Sequence, residues 1–261
     1  MTANFSLKRL SLLIAKQWVE NRRLYLMSAL ALMGILGAAF ALWLSMAGVR
    51  YEEASLYVMA MVGLFITGAI FASTSFNMLN SKDTGIYWIS FPASHLEKFL
   101  VTIFFNVVVF TSVYISCFYL LKFLAEAYIE AYSMSYEKVD WSLSQEFTKA
   151  MPVFFSFFFV VQAAFLLGSA SFKRFSFIRT IILLIALIFI YAWGTFKVAG
   201  MVFPRGFSFN LTRLSIHSED GSYRDYNLPG YFKVPVEVFF RYLLAPCIWI
   251  VTWFKIKEKQ I

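Results

Sequence analysis

The sequence predicts an all-α fold: a polytopic membrane protein with six transmembrane helices and an N-terminal interfacial amphipathic helix. Three observations predict it. Apolar residues make up 60% of the 261 and charged residues only 15%, where soluble domains carry about 25% charge. Phe alone occurs 31 times and mean hydropathy is +0.69, more apolar surface than a soluble core of this size needs, so lipid is the expected solvent. Six stretches are each long enough to cross about 30 Å of hydrocarbon as helices of about 20 residues. The chain reads as a single transmembrane domain over 1–261.

Residues 5–23, FSLKRLSLLIAKQWVENRR, come first. Leu7, Leu10, Ile14 and Trp18 recur at helical spacing on one face, with Lys8, Arg9, Lys16 and Arg23 on the other, the pattern of a helix lying in the membrane interface. Its spread cations and the long apolar run behind it do not read as a cleavable signal. The spans follow near 24–46, 54–76, 99–121, 151–171, 177–197 and 235–254. Gly34, Gly37, Ala38 and Ala41 line the first and Gly63 and Gly68 the second, small residues that permit close helix approach. The fourth opens on Pro152, tolerated in a first helical turn, and Ala245-Pro246 predicts a kink in the sixth. Within 198–234, Phe207, Phe209 and Leu211 alternate with polar neighbours and Asp220-Gly221 is a turn signal, so a small hairpin is expected there.

Lys and Arg counts choose the orientation. Residues 1–23, 77–98, 171–179 and 255–261 together hold 13 Lys and Arg against 4 acids, and the remainder 10 against 11. Both termini and the loop 77–98 are therefore expected in the cytoplasm, with 122–150 and 198–234 outside.

Chemistry is sparse. Asn106 and Gln162 are the notable polar residues at membrane depth, and no acid or histidine sits there to carry a proton or cation. There is no HExxH, GxSxG or GxxxxGK[ST], no acidic cluster at the cytoplasmic interface, and no ligand spacing around His95, His217, Cys117 or Cys247. The expectation is a chain with no catalytic set, metal or cofactor, and no nucleic-acid partner. Any energy source lies on another chain.

The loop 77–98, NMLNSKDTGIYWISFPASHLEK, is the exception to this apolar monotony. Gly85 allows a break. Ile86, Tyr87, Trp88, Ile89 and Phe91 form an apolar, aromatic knob, and aromatic anchors are typical of interfaces. Pro92 starts a new turn. Ser94 and Glu97 have the spacing of a capping box that opens the third span, with His95 and Lys98 beside them. A short rigid helix displaying aromatics on the cytoplasmic side is a docking element.

These residues resemble the membrane subunits of the type-2 superfamily of ABC exporters. Such permeases have about six spans, cytoplasmic termini, a surface-lying N-terminal helix and a coupling loop between the second and third spans. There the family often reads Gly, a few residues, Leu-Pro-x-Ser, two or three residues, Glu-Lys, then apolar helix. This chain has Gly85, then Phe91-Pro92-Ala93-Ser94, then Glu97-Lys98-Phe99-Leu100; Phe91 stands where leucine is commoner. The resemblance implies a bacterial inner-membrane permease, a separate ABC ATPase subunit docking on Gly85, Tyr87, Trp88, Phe91, Pro92, Ser94, His95, Glu97 and Lys98, and a dimer with a second copy or a homologous permease. The alternative is a non-transporting membrane scaffold or sensor that binds an extracytoplasmic ligand through 198–234. Apolar, aromatic-rich spans suit lipids, amphipathic peptides or hydrophobic drugs as cargo.

Overall fold

The computed structural model describes residues 5–46, 53–80, 85, 93–131, 145–202, 207–210, 213–217, 223–227 and 229–258. Helix α1 runs Leu7–Met46 and α2 Glu53–Thr74, followed by a short 3-10 turn, Asn77–Asn80. The third span is built of α3 (His95–Ile103), a π turn (Phe104–Val109) and α4 (Phe110–Ala131). Helix α5 is Gln145–Ser171 and α6 Ser176–Val202. Three strands follow, β1 (Phe207–Asn210), β2 (Arg213–His217) and β3 (Tyr223–Asn227). The sixth span is α7 (Gly230–Val238), a second π turn (Phe239–Leu243) and α8 (Leu244–Glu258). Among the described residues six helices are long and apolar enough to cross a membrane and one small sheet lies between the fifth and sixth of them; the chain is an all-α polytopic membrane protein.

Three features differ from the sequence expectation. The amphipathic stretch 5–23 is not a separate helix: from Leu7 on it is the first part of α1, an unbroken helix of 40 residues and so about 60 Å long, twice the hydrocarbon thickness. Helix α5 begins before the expected boundary, so Pro152 lies inside it rather than in its first turn. Its missing N–H leaves the Thr148 carbonyl without an intrahelical donor. The disturbance expected at Pro246 takes the form of the π turn just upstream, where the Leu244 N–H donates to the Phe239 carbonyl. Widening that turn accommodates a proline ring entering the next one.

Strands β2 and β3 pair antiparallel with His217 opposite Tyr223, as the two arms of a hairpin would, and β1 adds a third strand with Asn210 opposite Arg213; Leu211 and the expected turn at Asp220-Gly221 lie outside the described residues. In this register Phe207, Phe209, Leu214, Ile216 and Tyr226 occupy positions on one face of the sheet, because residues in register alternate between faces together.

The helices pack through three apolar clusters stacked along the bundle. One, around Phe99, joins Phe76, Phe165, Leu166 and Ile256 at the basic end that carries both termini. Leu32, Leu36, Leu64, Tyr114 and Phe158 fill the middle. Phe40, Leu56, Tyr57 and Phe118 fill the far end. Close approach is built where the second span has its glycines. A Cβ at Gly63 would lie 2.6 Å from the Tyr114 hydroxyl and one at Gly68 2.7 Å from the Phe158 ring. The Tyr114 O–H uses that space to donate to the Ala60 carbonyl at 2.6 Å. The first-span stripe behaves differently. Gly34, Ala38 and Ala41 are exposed, and nothing lies within 4 Å of a Cβ at Gly34. The middle of α6 is barer still: residues 185–193 are exposed at every consecutive position, hence on every side of the helix.

Candidate coupling site at the basic end

Ser94 begins α3 as its N-cap in extended backbone, and its hydroxyl accepts from the Glu97 N–H at 3.2 Å. The Glu97 carboxylate reaches back to accept from the Ser94 N–H at 2.9 Å. This is the capping box the sequence predicts, and it satisfies two donors that a helix start otherwise leaves without partners.

The same carboxylate has a second role that local pattern does not reveal. Its Oε1 accepts from the backbone N–H of Ser6 at 2.8 Å and lies 3.3 Å from Arg9 Nη2. Ser6 in turn accepts the Leu10 N–H at 3.0 Å, so it caps α1. One carboxylate thus bonds the backbone at the starts of two helices, whose dipoles both favour an anion there. Its side chain is 0% exposed, against 38% for Arg9, and the neighbours that hold it are all donors, the surroundings of an ionised carboxylate. Arg9, expected on the polar outer face, instead turns one guanidinium nitrogen inward to Glu97.

Further along, Tyr25 of α1 stacks on Phe105 of the third span at 5.2 Å and Trp18 on Tyr25 at 6.0 Å, with Gln17 Nε2 donating to the Tyr25 hydroxyl. The first half of α1 is therefore fixed to the third span at two levels. Phe99, buried one turn after the cap, seats α3 in the basic-end cluster with residues of α2, α5 and α8. A displacement applied at Ser94 meets a connected set of helices rather than a loose loop.

Of the other predicted docking residues, Gly85 is helical and buried. His95 is the first residue of α3, half-buried, its Nδ1 without a hydrogen-bond partner among the described residues. Lys98 is buried, with Leu96 exposed between the buried pair Glu97 and Lys98 and the cap. Tyr87, Trp88, Phe91 and Pro92 lie outside the described residues. Sequence reading missed Ser6 and Arg9, because a contact across 91 positions leaves no local trace.

At membrane depth the Gln162 side chain meets the backbone of Asn106. Gln162 Nε2 donates to the Asn106 backbone carbonyl at 2.8 Å, and Asn106 Nδ2 donates to Ser75 Oγ at 2.8 Å and to the Thr102 carbonyl at 2.9 Å. Both amides are 2% exposed. Among the described residues no group of three or more His, Cys, Asp or Glu side chains lies together as a metal site would require. Comparison with protein-family models, curated proteins and solved structures gives no significant match.

Proposed function

We propose that this chain is the membrane permease of an ATP-driven exporter of the type-2 ABC superfamily, moved by an ATPase on a separate subunit that seats on the loop 77–98. The observation that carries the reading is the double cap of Glu97. The loop ends in a buried, fully bonded carboxylate that joins the start of the third span to the start of the first. A push delivered there enters two spans together, as a coupling element requires. The excess of Lys and Arg at the same end supports placing it in the cytoplasm of a bacterial inner membrane. Hydrolysis belongs to the partner, and this chain is the mechanical member of the pair.

The working unit is a dimer with a second copy or a homologous permease. The middle of α6, bare on every side within one chain, supports a further protein neighbour in the membrane. Affinity purification from native membranes tests the reading. An ABC ATPase should co-purify in stoichiometric amount and hydrolyse ATP faster with the permease present. Absence of any ATPase in gently solubilised complexes refutes it. The folded sheet β1–β3, with five apolar or aromatic positions on one face, favours the second reading, a non-transporting scaffold or sensor with an external ligand. Recovery of an extracytoplasmic protein and no ATPase in the same purification would select that reading.

A further inference from the structure

The π turn of the third span is held open from outside. In an α-helix the Phe110 N–H would donate to the Asn106 carbonyl, four residues back. Here it donates to the Phe105 carbonyl, five back, and the carbonyl set free is the one taken by Gln162 Nε2. Gln162 therefore stands in for the backbone donor that the α form would supply. The rest of Gln162 does not explain its presence, since Oε1 is buried with no hydrogen-bond partner among the described residues. A methionine would fill the same volume without leaving a polar atom unpaired, but could not donate to Asn106. Three other helices fasten on the same turn. Ser75 of the α2 end bonds the Asn106 side chain, α5 supplies Gln162, and Tyr25 of α1 stacks on Phe105.

We propose that Gln162 is a positioning residue that sets the rotational phase of α3. Exchange of the Asn106 carbonyl between Gln162 Nε2 and the Phe110 N–H is then the step that turns the coupling helix. The π turn winds one extra residue into the third span. Returned to α geometry, with α4 fixed, each residue of α3 takes the place now held by the residue before it, a rotation of about 100° and an advance of about 1.5 Å toward the basic end. Glu97 then leaves its buried seat for the place of Leu96, which is 40% exposed, and gives up the Ser6 N–H and Arg9. The turn at Asn106 and the clamp at Glu97 are two ends of one movement. The coupling role rests on the permease reading; the phase-setting role does not.

Spin labels at Leu96→Cys and Phe175→Cys, both exposed positions, report the phase in a Cys117→Ala, Cys247→Ala background. The purified full-length chain is measured in nanodiscs by electron–electron double resonance. Side chains on a helix about 10–12 Å across move about 8 Å in a 100° turn. Gln162→Met should shift or split the interlabel distance distribution by several ångström, and so should Gln162→Asn, whose amide is too short to reach. Asn106→Ala, which keeps the carbonyl, should stay near wild type. An unshifted distribution in folded Gln162→Met overturns the proposal, as does failure of both Gln162 variants to fold, which would make the residue a packing element. Transport per ATP is then read in proteoliposomes with the partner ATPase. A distance shift with lowered transport per ATP supports the whole proposal. A shift with unchanged transport per ATP overturns the coupling role, and a shift with no ATPase partner to be found counts against the permease reading while the phase-setting role stands.

Discussion

Replacing Glu97 by alanine should loosen two helix starts that lie far apart in the chain, at Leu7 and His95, and the size of the effect follows from its bonds. The substitution removes the acceptor of the Ser6 N–H, the acceptor of the Ser94 N–H and the partner of Arg9. A hydrogen bond to a charged group contributes about 1.5–3 kcal/mol. The Arg9 pair adds little beyond this, because the guanidinium is partly open to solvent. Opening of the first turn of α1 should therefore become roughly ten- to a hundred-fold more frequent. The assay is amide hydrogen exchange by mass spectrometry in nanodiscs, read on peptides covering residues 5–12 and 93–100. Ser94→Ala provides the contrast. It removes only the cap hydroxyl, costs about 0.5–2 kcal/mol, and should speed exchange in the second peptide while leaving the first near wild type. Glu97→Ala with unchanged exchange at residues 5–12 would refute the double cap and the coupling argument built on it.

The remaining predictions test docking, topology, coupling and packing. Tyr87→Ala with Trp88→Ala should reduce ATPase co-purification while the chain stays monodisperse, and unchanged recovery together with unchanged ATPase stimulation removes the proposed aromatic docking role. In intact cells a cysteine at Tyr231 should react with an impermeant thiol reagent, whereas one at Phe175 should react only once the membrane is opened; the reverse pattern inverts the orientation. Ser94→Ala combined with Glu97→Ala should lower transport per ATP hydrolysed at near-normal expression. Asp at position 94, with Glu97 retained, should preserve coupling, since Asp is another good N-cap. Gly168→Ala would drive a Cβ into the Thr180 side chain and should destabilise the bundle by about 1–3 kcal/mol. Gly34→Ala has open space and should change stability by no more than about 1 kcal/mol. Thermal unfolding in detergent compares the two.

Much of the fold was legible because the bilayer imposes a length and a polarity on each span, and those can be counted along the chain. The capping box was legible for a similar reason: Ser94 and Glu97 are three residues apart and the bonds they make are local. The β2–β3 hairpin carried its own turn signal. Legibility failed where one residue serves two places. Glu97 looked complete once it had capped α3, and nothing in its surroundings announced Ser6. Asn106 and Gln162 stood out as amides at depth, yet a π turn has no residue signature, since its extra residue is ordinary until another helix captures the freed carbonyl. The glycines of the first and second spans look alike in sequence, and only the arrangement of neighbours separates Gly68, pressed against Phe158, from Gly34, which faces open space.

The bare stretch of α6 bears on how the chain is made. Within one chain residues 185–193 are exposed at every position and gain little from packing on the other described residues, so the placing of this span in the bilayer rests on its own transfer out of water. The composition agrees: α6 is the most apolar of the six spanning helices and the final span the least. The last span carries Lys233, Glu237 and Arg241 in its first half, with the Lys233–Glu237 pair at 4.0 Å relieving part of that load. During synthesis α6 should partition into lipid as soon as it leaves the translocation channel, regardless of what preceded it. The final span should linger at the channel until α5, its main packing partner, is in place to receive it. Insertion reporters carrying each segment alone would show α6 membrane-integrated and residues 229–258 only partly so, with the shortfall made good when α5 is supplied on the same chain.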